Sequence, residues 1–94
     1  MSAAQVEATS GLARPTTVVF DGGSITIKRG LFGRNETRIP LSRVTAVNFR
    51  RGITGRGYIE FVGAGEDARV DFAILKAPQF EALAAAVSAA LSEG

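Results

Sequence analysis

Glycine-bearing breaks divide residues 15–67 of this chain into a series of short runs. Asp21-Gly22-Gly23, Gly30 to Asn35, Gly52 to Gly57 and Gly63 to Asp67 recur at short intervals. Between them lie runs that alternate apolar and polar residues. Thr17-Val18-Val19-Phe20 is β-branched and aromatic, and Ile25 and Ile27 alternate with Thr26 and Lys28. Glu36 to Ile39, Val44 to Arg50, Tyr58 to Val62 and Val70-Asp71-Phe72-Ala73-Ile74 continue the pattern. A period of two means one face buried and one face wet. Six such runs joined by glycine turns predict a sandwich or barrel. Asp21-Gly22 supplies the backbone freedom of a tight hairpin, and Pro40 ends the third run because proline gives no N–H to the ladder.

The period changes after Pro78. Phe80, Leu83, Val87 and Leu91 are spaced by three, four and four, on one helical face, with alanines between them. A helix of about 15 residues is not stable alone, so this face is expected to cover an opening in the sheet. Burying each of its four large side chains contributes about 1.5–3 kcal/mol before ordering costs. The fold class expected is mainly β with one C-terminal helix: a partly open barrel or sandwich of six to seven antiparallel strands, capped by the helix. Residues 1–14 are small and polar with no periodicity, so they are expected to form a flexible leader, and residues 15–94 the domain.

With 94 residues, 46% of them apolar, the chain can build one core without staples. It has no cysteine, which excludes disulfides and thiolate metal sites and fits a cytoplasmic location. Met1 to Ala13 has no basic start or apolar run, so no secretion signal is expected there. Phe80 to Leu91 is too short to span a bilayer, so no transmembrane segment is expected, and at most a peripheral association with membranes.

No histidine or cysteine is present to act as base or nucleophile. No serine lies in a Gly-x-Ser-x-Gly context, and Gly63-Ala64-Gly65 sits between strands rather than before a helix. Glu60 and Asp71 approach across one hairpin, where solvated surface charge is the expected role. No enzyme, cofactor or metal site is therefore expected. Charge is the one feature above background. Residues 28–56 carry Lys28, Arg29, Arg34, Arg38, Arg43, Arg50, Arg51 and Arg56 against Glu36 alone. The candidate binding residues are Lys28, Arg29, Phe32 and Arg34 around one turn, and Arg50, Arg51 and Arg56 around another. Arginine's planar fork suits phosphate and carboxylate, and Phe32 would give one turn an apolar tip. The simpler role for such arginines is to keep strand edges from associating.

The segments Phe20 to Ile27, Ile39-Pro40-Leu41-Ser42-Arg43-Val44-Thr45-Ala46-Val47, Gly57 to Phe61 and Phe80-Glu81-Ala82-Leu83 carry a resemblance. Across about residues 17–92 the chain resembles a bacterial, mainly actinobacterial, family of pleckstrin-homology-like domains of unknown function. The resemblance implies two nearly orthogonal antiparallel sheets with the helix plugging one end. It also implies a seventh strand, for which Leu75 to Ala77 is the candidate, and no catalytic residues. Lipid-binding pleckstrin-homology domains place basic residues in the first hairpin; here Phe20-Asp21-Gly22-Gly23 has none. The expected function is a non-catalytic interaction module that binds a protein partner or itself. The alternative is an anionic surface, lipid headgroups or nucleic acid, held by the 28–56 segment.

Overall fold

A computed structural model describes residues 5–12, 15–30, 35–52, 56–65 and 68–93. Strands β1 (Val6–Thr9), β2 (Thr16–Phe20), β3 (Ser24–Arg29) and β4 (Asn35–Pro40) form one antiparallel sheet in that order. Strands β5 (Ala46–Arg51), β6 (Arg56–Val62) and β7 (Arg69–Ala73) form the second. Helix α1 (Ala77–Glu93) follows and packs against β5 and β1. The mainly β architecture with a C-terminal helix is the one the alternation predicts.

The core is built from the inward-facing half of each alternation. Val18 and Phe20, Ile25 and Ile27, Ile59 and Phe61, and Val70 and Phe72 are all buried. Phe80, Leu83 and Val87 of α1 enter the same core. The Phe80 ring stacks on Phe72 at 4.4 Å between centroids, and Phe72 stacks on Phe49 at 5.6 Å. Gly57 makes this stack fit: a Cβ there would lie 2.7 Å from Phe72 Cε1. The helix runs 17 residues and buries Ala77 and Ala84 as well, so alanine lets it approach the sheet closely. Leu91 is only half-buried.

The turn after β2 is held by one side chain. The Asp21 carboxylate accepts the N–H of Gly23 at 2.9 Å and of Ser24 at 2.8 Å, while Gly22 takes φ 99°. These donors favour the charged form, so the Asp21 carboxyl lies below its ordinary value of 3.8, chiefly through the Gly23 N–H.

Two expectations are corrected. The seventh strand is β1, within the stretch read as a leader, and not Leu75 to Ala77. Ile74–Lys76 forms a 3-10 turn with Leu75 88% exposed, and the helix begins at Ala77. β1 escaped the pattern because its inward residues are only Val6 and Ala8. Tertiary bonds hold it instead. Ser10 Oγ accepts the Thr16 N–H at 3.0 Å, and Ser10 O accepts the Ala73 N–H at 2.8 Å. Gln79 Oε1 of α1 accepts the Thr9 N–H at 3.2 Å. The ordered domain therefore starts before residue 15. β1 pairs antiparallel with β2, so the Asp21 turn closes the second hairpin rather than the first.

Candidate functional site

Among the described residues, the basic side chains singled out from the sequence do not gather into one patch. Phe32 and Arg34 lie outside the described residues. Lys28 stands on the outer face of the four-stranded sheet, opposite Glu36 in register. Arg29, one residue on, lies on the inner-face alternation and crosses to the other sheet, where Nη2 donates to Arg69 O at 3.1 Å. Arg50 and Arg51 part in the same way. Arg51 shares the side of half-buried Val47 and Phe49, toward the helix, and its Nη2 lies 3.4 Å from Glu81 Oε2 of α1. Arg50 points to the opposite face.

That opposite face, the outer surface of β5–β7, holds the one arginine grouping the fold creates among the described residues. Register places Arg50, Tyr58 and Asp71 in one cross-strand row. Arg56 lies two residues before Tyr58 on the same side of β6, and Arg69 two residues before Asp71 on β7. Together they line an open depression of ≈ 240 Å³, completed by Gly52 and Gly57. Tyr58 is the aromatic residue of its lining. The Arg69 guanidinium carbon sits 4.1 Å from the Tyr58 ring centroid, a cation–π contact worth about 0.5–1 kcal/mol at an exposed site. Arg69 Nε also lies 3.4 Å from Asp71 Oδ1. Arg69 is thus anchored. Arg50 and Arg56 have neither an ion pair nor a hydrogen-bond partner among the described residues. Two open guanidinium forks beside an aromatic ring can take a carboxylate or phosphate with an apolar group alongside.

Arg69 was missed because it follows the acidic pair Glu66-Asp67 in sequence; only the β6–β7 register brings it beside Tyr58. Glu60 and Asp71 do not form a pair: Glu60 faces Arg69 in register and accepts from Asn48 Nδ2 at 3.4 Å, while Asp71 turns to Arg69. No cluster of three or more acidic groups able to hold a metal occurs among the described residues.

The two-sheet arrangement with its helix lid agrees with a comparison by sequence. A sequence model of the bacterial PH domain matches residues 8–91. The chain belongs to the bacterial PH domain family. No curated protein and no solved structure matches it. The match to the bacterial PH domain begins inside β1, which again puts part of the supposed leader within the domain. Membership supports an interaction module in general, and PH-like domains are generally non-catalytic. One segment of this PH domain, Ile74–Glu93, is long and apolar enough to cross a membrane by length and composition. Its Phe80, Leu83 and Val87 are fully buried beneath the sheets, so its most apolar face belongs to the core.

Proposed function

We propose that this chain is a non-catalytic, cytoplasmic interaction module that binds an acidic segment of a protein partner on the outer face of β5–β7. The observation that carries the reading is the pair of open guanidinium groups, Arg50 and Arg56, beside Tyr58 in the ≈ 240 Å³ depression. Arg50 and Arg56 receive a carboxylate, beside the Tyr58 ring that Arg69 covers. A protein fits this face better than a lipid surface or nucleic acid does. Glu60 and Asp71 stand on the same face and would repel a dense row of phosphates. Lys28, Arg29 and Arg51 are turned to other faces, whereas a polyanion needs a continuous basic track. Self-association is a second reading, favoured by a sheet edge treated below.

The test is a fluorescence titration with a short Glu-rich peptide containing one leucine, run beside anionic vesicles and duplex DNA at about 50 and 200 mM salt. The peptide is expected to bind, and Arg50→Glu with Arg56→Glu to abolish binding while the fold survives. Retention of vesicles or DNA in place of the peptide would establish the anionic-surface alternative instead.

A further inference from the structure

The four sheet edges are not equally protected. β1 offers the Thr9 N–H to Gln79, β7 bonds to Ser10 through Ala73, and α1 packs against β5. β4 pairs only with β3, and Glu36, Arg38 and Pro40 are exposed. Successive residues of an antiparallel strand turn their N–H and C=O groups to opposite sides. Leu41 donates to Gly23 O at 3.0 Å, while Gly30 donates to Pro15 O at 3.1 Å and Asp21 to Ser24 O at 3.2 Å. This phase gives Asn35, Thr37 and Ile39 to β3. Glu36 and Arg38 therefore turn their main-chain groups outward, and Pro40 has no N–H to offer there.

We propose that a second copy of this chain adds antiparallel to the β4 edge, about a two-fold axis at Thr37. This deepens the reading of the domain as an interaction module by naming a second surface and its partner. The charges choose the register. Within the described strand only Glu36 and Arg38 turn both main-chain groups outward, and these two residues can be set against each other in three alignments. Centring on Glu36 sets two glutamates opposite each other, and centring on Arg38 sets two arginines opposite each other. Centring on Thr37 sets Glu36 against Arg38 of the second copy, and Arg38 against its Glu36. Both N–H and C=O groups of each pair then bond across the interface, and two opposite-charge pairs lie on one face. Glu36 has no ion pair among the described residues. Arg38 has only a loose one, 3.9 Å from Asp21, beside a hydrogen bond from its Nε to Ser24 Oγ at 3.3 Å. The alternating signs that would repel a uniformly charged strand are self-complementary here.

Pro40 keeps the overlap short, so the dimer is weak, with a dissociation constant on the order of 100 μM. Sedimentation up to millimolar protein, with ¹⁵N shifts of Glu36 and Arg38 followed on dilution, measures it. Glu36→Arg alone and Arg38→Glu alone place like charges in both pairs, and each is expected to weaken the dimer by roughly tenfold or more. Mixing the two variants places Glu opposite Arg in both pairs and is expected to restore association, as is the double variant E36R/R38E. Restoration also shows that the single variants remain folded. A parent that stays monomeric at millimolar concentration overturns the proposal, and the edge charges then serve only to block pairing. Failure of the mixture to associate also overturns it. Arg50→Glu with Arg56→Glu is expected to leave the dimer intact, so this interface and the arginine face can fail separately.

Discussion

The two faces of β5–β7 differ in almost everything but their backbone. The inner face carries Phe49, Ile59, Phe61, Val70 and Phe72 against the helix, with Gly57 cut back to let a ring in. The outer face carries Arg50, Arg56, Tyr58, Arg69 and Asp71 around an open depression. One residue of displacement along a strand moves a side chain from one face to the other. The difference teaches that stability and recognition are interleaved in this sequence but separated in space. Substitutions of the buried inner-face residues should unfold the domain, and those on the outer face should change only what it binds.

The largest effect is expected where the helix meets the inner face. Leu83 is fully buried in the shared core, so Leu83→Ala should cost about 3–5 kcal/mol in urea melts. A parent-like midpoint would mean that α1 is not the lid of the barrel. Removing residues 1–10 comes next. It strips β1, the buried Ala8 and the Ser10 bridge between the sheets, and should cost about 2–4 kcal/mol. A truncated chain with unchanged melting temperature would return this segment to the role of a leader.

What was legible in the sequence follows the same line. β2, β3, β6 and β7 announced themselves because Val18 and Phe20, Ile25 and Ile27, Ile59 and Phe61, and Val70 and Phe72 are large and alternate cleanly. The helix did so through Phe80, Leu83 and Val87. β1 was silent because Ala8 is too small to mark a face, and its bonds to Ala73 and Gln79 join residues far apart in the chain. The site was legible only in part. Adjacent basic residues look like one patch when read along the chain, yet the pleat sends Arg50 and Arg51, and Lys28 and Arg29, to opposite sides. Arg69 required the register itself.

Asp21 tests the rule that exposed charge is dispensable. It is exposed, yet it holds the β2–β3 turn through the Gly23 and Ser24 N–H groups, which lower its pKa below 3.8. Its contribution is therefore present above pH 3.8 and is lost as the pH falls through the lowered folded value. Asp21→Asn keeps an acceptor oxygen but cannot titrate. Its stability should fall less steeply than the parent's in acid, followed by urea melts from about pH 5 down to about pH 2. Parallel curves would show that the carboxylate contributes nothing as a charge.

The smallest effect on stability, and the sharpest contrast, is expected from two neighbours on one strand. Arg51 reaches Glu81 of α1 at 3.4 Å, and both side chains are more than half exposed. An exposed ion pair of this kind is worth about 0.2–1 kcal/mol, less as salt screens it. Arg51→Ala should therefore lower stability slightly at low salt and by less at about 1 M salt. It should leave binding of the acidic peptide unchanged, because this side chain is on the helix side of the sheet. Arg50→Ala should do the reverse. It has no protein partner to lose among the described residues, so its melt should match the parent's within about 0.5 kcal/mol. It lines the depression beside Tyr58, so peptide affinity should drop by a factor of about ten, the worth of one charge-assisted contact. If both substitutions weaken binding equally, the partner wraps the strand end and touches both faces. If only Arg51→Ala weakens it, the recognition surface is on the helix side, and the division of labour between the two faces is reversed at that end of β5.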